Sequence, residues 1–205
     1  GRNEWRHEDT WPLPGAEMKP LYFHSGGRAN TLAGDGSLSW TAPSQEACDS
    51  YVFNPEDPTP WIQDVNSFPF GDFLLDQRCV ERRDDVLVYT SQPLEQELTV
   101  AGTPYAVLYA ASDAPDTDFA AILADVYPDG RSISLTEGIM RASYRESLEK
   151  PSLLTPGRVY EYKIELGSIA NAFLPGHRVR VVITSCRFPC WDRNPNTGAP
   201  VGEDL

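Results

Sequence analysis

A chain of 205 residues with 40% hydrophobic content is long enough to bury one core, long for two, and too apolar to stay disordered. Its formal charge of −13 leaves no basic face, which excludes nucleic acid as a partner and argues against an anionic membrane surface. No apolar run approaches the length of a membrane span.

Residues 1–20 read as an irregular entry segment in which Trp5 and Trp11 are anchors into an apolar surface. No signal peptide is visible, but the chain opens at what reads as a domain boundary, so this says nothing of an upstream leader. The compartment is unknown, the cytoplasm being slightly favoured over secretion. Leu21–His24 and Leu38–Thr41 are short strand candidates around a Gly-rich turn, and Tyr51–Phe53 is another. Residues 54–84 read as a long loop with Pro55, Pro58, Pro60 and Pro69. A loop of that length in a compact domain is usually functional or disordered. Its rings, Trp61, Phe68, Phe70 and Phe73, argue against disorder.

From Asp85 the strand pattern strengthens. Val86–Ser91, Leu98–Gly102, Tyr105–Ala111 and Phe119–Tyr127 are strands, the last two joined by an acidic turn at Asp113–Asp118. Pro128-Asp129-Gly130 is a hairpin signal, and Ile133–Leu135 starts the return strand. Tyr160, Tyr162, Ile164 and Leu166 alternate with charged residues, as in a half-buried strand. Single helical turns are expected at Pro151–Pro156 and Ser168–Phe173. His177–Ser185 is a strand with Val179, Val181 and Ile183 on one face and Arg178 and Arg180 on the other. This pattern gives an all-β fold, an antiparallel β-sandwich. Its core is expected to hold Val86, Val88, Leu108, Ile122, Val126, Tyr160, Tyr162, Ile164, Val179, Val181 and Ile183.

The stretch after the last strand is the most informative. Asp192–Gly198 packs Asp, Arg, two Asn, Pro, Thr and Gly into one short loop. Such residues bond backbone groups and give a loop one shape. Asp192, Arg193, Asn194 and Asn196 are therefore the expected structural loop, with Asn194 and Asn196 each accepting from a nearby N–H.

Catalytic machinery is not legible. A serine hydrolase needs a nucleophile beside a histidine and an orienting acid. No G-x-S-x-G pentapeptide occurs; Gly34–Leu38 lacks the last Gly. Of the three histidines, His7 reads as solvated, His24 as part of a turn, and His177 as hydrogen-bonded within the sandwich. The expected catalytic set is none. Asp113, Asp116 and Asp118 could offer calcium oxygen ligands, yet lack an EF-hand pattern. Asp116 is expected to fix its turn, and Asp118 to meet Arg141 or Arg145. No metal and no cofactor is expected. The four cysteines, Cys48, Cys79, Cys186 and Cys190, are too sparse for a disulfide scaffold and lack zinc spacing; they read as free, partly buried thiols.

Several segments resemble one family in its own order. Asn3–Arg6 with Trp11-Pro12, Asp76–Arg78 with Arg83–Ser91, Asp116–Gly130, Gly138–Arg145, Gly176–Arg178 and Arg193–Gly198 are similar to the C-terminal domain of the cocaine esterase and X-Pro dipeptidyl-peptidase family of serine hydrolases. The resemblance implies a jelly roll of the galactose-binding-like type over residues 21–205, with the family's last strand missing beyond Leu205. It implies that the chain is non-catalytic while its parent hydrolyses esters, amides or X-Pro peptides. It also implies a partner, the α/β-hydrolase catalytic domain of that parent. Residues 1–20 would enter from that domain, and Trp61, Phe68, Phe70 and Phe73 would form a substrate-pocket wall. Two other readings stay open: a carbohydrate-binding module, favoured by exposed tryptophans, and a purely structural or homo-oligomerisation domain.

Overall fold

Alternating apolar residues become strands where a neighbouring strand can take up their backbone groups. The computed structural model describes residues 1–62, 75–200 and 202–204. Within these residues the strands are β1 (Tyr22–His24), β2 (Ser37–Ser39), β3 (Leu87–Ser91), β4 (Leu98–Gly102), β5 (Tyr105–Ala110), β6 (Asp118–Val126), β7 (Ser132–Arg141), β8 (Tyr160–Glu165), β9 (Ile169–Phe173) and β10 (Arg178–Thr184). Short 3₁₀ turns at Gln77–Cys79 and Ala142–Tyr144 are the described helical elements.

One layer is a six-stranded sheet in the order β1-β2-β3-β10-β6-β7. The other comprises two pairs, β4 with β9 and β5 with β8. Residues from both layers form one apolar cluster. Leu87, Tyr89, Phe119, Ala121, Leu123, Val179 and Ile183 come from the large sheet; Ala106, Tyr162, Ile164, Ile169 and Phe173 come from the pairs. Phe119 and Tyr162 meet across the layers with ring centroids 4.7 Å apart. The fold is an all-β sandwich, as alternation predicts. The two layers approach closely at Gly138 of β7. A Cβ there would lie 1.9 Å from the carbonyl oxygen of Glu165 on β8, so a side chain has no room.

Sequence and structure part in several places. β2 pairs with β3 in parallel, so the sheet is mixed rather than purely antiparallel. The long connection between these strands gives the chain length to return in the same direction. Tyr51–Phe53 is not a strand. Residues 168–173 are not a helical turn: Ile169–Phe173 is β9, paired with β4 from Leu98↔Phe173 to Gly102↔Ile169. Its Ala-Asn-Ala centre has weak local preference, so the partner strand decides its conformation. Pro151–Pro156 forms no helical turn either. Leu108, Tyr160 and Val181 are half-buried against the core, while the other expected core residues are buried.

The far face of the large sheet corrects the expectation most. Arg180 is not on a wet face: it is 6% exposed, and its Nη1 lies 2.5 Å from Glu81 Oε2. Residues 75–86 cover that face, and their Val80 and Val86 form a second apolar cluster with Val88, Ile122 and Val182 of the sheet. Charged and apolar residues thus share a buried face. Strict alternation in β10 marks two covered faces rather than one dry and one wet.

Candidate functional site

The polar loop after β10 sits on two buried carboxylates. Asp116 accepts from the Ser143 N–H at 2.8 Å and from the Ser143 hydroxyl at 3.0 Å. Asp118 accepts from Arg141 through Nε at 3.0 Å and Nη2 at 3.2 Å, a two-pronged pairing that ties β6 to β7. Asn194, 4% exposed, donates through Nδ2 to both Asp116 (3.1 Å) and Asp118 (2.9 Å). Its Oδ1 accepts from the Asn196 N–H at 2.9 Å. Burial pushes the Asp118 carboxyl above the usual carboxylate range, against the pull of Arg141 and Asn194. The Asp118 hydrogen bonds hold the Arg141 guanidinium above its ordinary value.

Each expected loop residue can now be placed. Asp192 is exposed and reaches Arg141 Nη2 at 3.3 Å. Arg193 is exposed and donates to the Pro55 carbonyl at 3.0 Å. Asn194 is the buried keystone. Asn196 does not accept a nearby N–H: its Oδ1 is buried with no partner. It contributes through its backbone, at φ 66°, a left-handed conformation that Asn tolerates better than most residues. Asp116 and Asp118 are engaged by Ser143, Asn194 and Arg141, and a guanidinium at the carboxylate repels a cation. No cluster of His, Cys, Asp or Glu suited to a metal occurs among the described residues. Above the loop lies an open cleft of about 920 Å³, with Pro58, Leu153, Phe188 and Pro195 among its walls.

Phe188 links this cleft to the aromatic loop. The Trp61 N–H donates to the Phe188 carbonyl at 2.7 Å, and the Phe188 N–H donates to the Thr59 carbonyl at 3.0 Å. Thr59 is fully buried; its hydroxyl bonds Asp85 and Thr184, each at 2.8 Å. Trp61 is half-buried at this junction. Phe68, Phe70 and Phe73 lie outside the described residues. Arg187, 2% exposed, binds Glu137 of β7 through Nε at 2.9 Å and Nη2 at 2.8 Å, and Gln77 Oε1 through Nη1 at 3.2 Å. Sequence reasoning passed over Arg187, Glu81 and Thr59. Strand alternation assigns such residues to solvent, and only the position of Arg187 before Phe188-Pro189, at the strand's end, set it apart.

The histidines are structural. His177 Nδ1 lies 2.8 Å from buried Asp125, and the Tyr127 ring packs on it at 4.5 Å. His24 bonds Glu46 at 2.7 Å and the Thr41 carbonyl at 2.9 Å. Ser25 donates to Asp49 at 2.6 Å rather than to a histidine. Among the described residues no histidine ring bonds a hydroxyl or a thiol. The cysteines are free, but Cys48, Cys79 and Cys190 are exposed and Cys186 alone is buried. Trp5 (97% exposed) and Trp11 (50% exposed) are not buried anchors in this chain's own surface.

Residues 1–203 match the family described as the X-Pro dipeptidyl-peptidase C-terminal non-catalytic domain. The chain is 44% identical, over its whole length, to the cocaine esterase of Rhodococcus sp. (strain MB1 Bresler), of which it covers 36%. It is 28% identical, over 88% of its length, to a putative serine esterase of Mycobacterium bovis, of which it covers 30%. Among solved structures it superposes on an aminopeptidase from a marine sediment Thaumarchaeota archaeon with a TM-score of 0.86. The identity is 34%, covering 98% of this chain and 34% of that one. An α-amino acid ester hydrolase gives a TM-score of 0.85 at 32% identity, with the same two coverages. The chain thus spans about a third of the length of the relatives it matches.

Proposed function

The chain belongs to the family of X-Pro dipeptidyl-peptidase C-terminal non-catalytic domains, and on that premise we propose that it packs on an α/β-hydrolase catalytic domain of the same protein and walls part of its substrate pocket. The parent reaction is hydrolysis of an ester, an amide or an X-Pro peptide. This chain performs no bond chemistry in it. The observation that carries the reading is the pairing of Trp61 with Phe188. It fixes the Trp61 backbone against Phe188, and Phe188 lines an open cleft. A ring so held offers apolar area with little rotamer freedom left to lose, which suits a wall that selects substrates. Exposed Trp5 and Trp11 fit a segment entering from the catalytic domain and covered by it.

In the full-length protein, Trp61→Ala shifts the ratio of kcat/KM between a bulky and a small acyl substrate, on the order of tenfold for a lost apolar contact. Labelling of the catalytic serine by a small fluorophosphonate is unchanged. The isolated chain, folded by circular dichroism, turns over neither a p-nitrophenyl ester nor an X-Pro anilide. An unchanged ratio in Trp61→Ala sinks the pocket-wall reading.

One observation favours a second reading. Trp40, 54% exposed, stands with Tyr22, Lys19 and Leu98 around an open groove of about 620 Å³. Rings of this kind can stack on sugars, so a carbohydrate module is tested by titrating oligosaccharides against tryptophan fluorescence. A flat titration removes it.

A further inference from the structure

Arg187 is the largest of the fully buried side chains among the described residues, and the functional reading above gives it no role. Its surroundings come from three parts of the chain. Its guanidinium grips Glu137 on β7 through Nε and Nη2, at 2.9 and 2.8 Å. Its Nη1 donates to Gln77 Oε1 at 3.2 Å and makes a long contact of 3.5 Å to the Pro60 carbonyl. Its own carbonyl accepts from the N–H groups of Cys190 (2.8 Å) and Trp191 (3.2 Å), turning the chain toward the polar loop. The next residue, Phe188, exchanges backbone bonds with Thr59 and Trp61. Gln77 is itself fixed, donating through Nε2 to the Leu75 carbonyl at 2.9 Å. One residue therefore reaches the segment that leads into Trp61, the turn at Gln77, and β7.

We propose that Arg187 is a positioning residue: held by Glu137 and Gln77, it fixes where Phe188, and through it Trp61, stands, and so sets the substrate preference of the parent hydrolase. The preference half of this rests on the pocket-wall reading of Trp61. A planar guanidinium suits the task because its donors point in fixed directions, so engaging Glu137 and Gln77 together sets the orientation of the Arg187 backbone. A lysine ammonium keeps the charge for Glu137 but lacks that fork. Glu137 keeps some solvent contact, at 17% side-chain exposure, so replacing Arg187 does not strand a fully buried charge.

The test uses the full-length protein and two readouts. Amide hydrogen exchange is followed at Trp61 and Phe188 in Arg187→Lys and Gln77→Met, with β6 amides as the internal control. Exchange at Trp61 is expected roughly tenfold faster in both variants, with β6 unchanged. Substrate preference is then measured as in the Trp61→Ala experiment. Both variants should move the ratio in the direction of Trp61→Ala, through KM more than through kcat. Arg187→Met combined with Glu137→Gln serves if Arg187→Lys folds poorly. Unaltered exchange at Trp61 in these variants overturns the proposal. Faster exchange with a ratio moved by Trp61→Ala but not by the Arg187 variants overturns its functional half. Faster exchange with a ratio that no variant moves, Trp61→Ala included, retires the pocket-wall reading and leaves the positioning role standing.

Discussion

Two stretches of this chain lack regular secondary structure and share a composition rich in charged residues, Pro and Gly: residues 1–20 and residues 192–198. They behave differently. In the first, every residue but Leu13 is exposed, and its side-chain ion pairs keep solvent contact, as in Arg2 with half-buried Glu97 and Arg6 with exposed Glu8. In the second, Asn194 is buried and bonded to two buried carboxylates. The difference does not lie in the stretches themselves. It lies in what β6 and the turn before it offer: Asp116 and Asp118 are in place beneath the loop and need donors. An irregular segment becomes ordered when it satisfies buried groups elsewhere, and stays peripheral when its own bonds end in water.

That contrast can be broken by experiment, most forcefully at the carboxylates. Arg141→Ala removes the charge opposite Asp118 and leaves a buried carboxylate with Asn194 alone; a loss of about 3 kcal/mol is expected in urea unfolding. A loss below about 1 kcal/mol would mean that the carboxylate reaches water and the loop is not what satisfies it. Asn194→Ala removes one donor from each carboxylate and the acceptor for the Asn196 N–H. It should cost about 1–3 kcal/mol and loosen residues 192–198 in hydrogen exchange.

Asn196 sharpens the comparison by separating backbone from side chain. Because its φ is 66° and its Oδ1 has no partner, Asn196→Ala should cost about 1 kcal/mol through backbone strain, whereas Asn196→Gly should be close to neutral. Equal losses in both would point to a side-chain bond after all. On the other side of the contrast, Trp5→Ala should change the stability of this chain by no more than about 0.5 kcal/mol. A larger effect in the full-length protein would locate the surface that covers it.

The smallest effect comes from a partly exposed pair in neither stretch. The Glu46 hydrogen bond raises the His24 pKa above its ordinary value, against a lesser cost of burial. The stabilisation is therefore whole below the ordinary histidine value near 6.5 and fades as pH rises through the raised one. Melting scans should show a slight fall in Tm across that window, absent in Glu46→Gln. Solvent screening keeps it small.

How much of this was legible in the sequence follows the same line. Strands whose alternation agrees with their surroundings, such as β6 and β8, can be read directly, and so can the pairing of Asp118 with an arginine. β9 could not, because Ala170-Asn171-Ala172 adopts its conformation from β4, some seventy residues earlier. Arg180 could not, because a charged residue alternating with valines reads as wet until residues 75–86 are seen to lie over it. At the polar loop the residue types announced order, but which asparagine carries it depends on Asp116 and Asp118, far away in sequence. What escapes local reading is the identity of the partner.

The close approach at Gly138 bears on how this domain could be re-engineered. Stacked sheets normally stand about 10 Å apart because side chains hold them off. At Gly138 the backbones of β7 and β8 are in direct contact, while Phe119 and Tyr162 bring side chains together between the layers. This close approach thus depends on a missing side chain. A library randomised at position 138 should return glycine almost without exception, and a graft of this sandwich onto another scaffold would have to keep it.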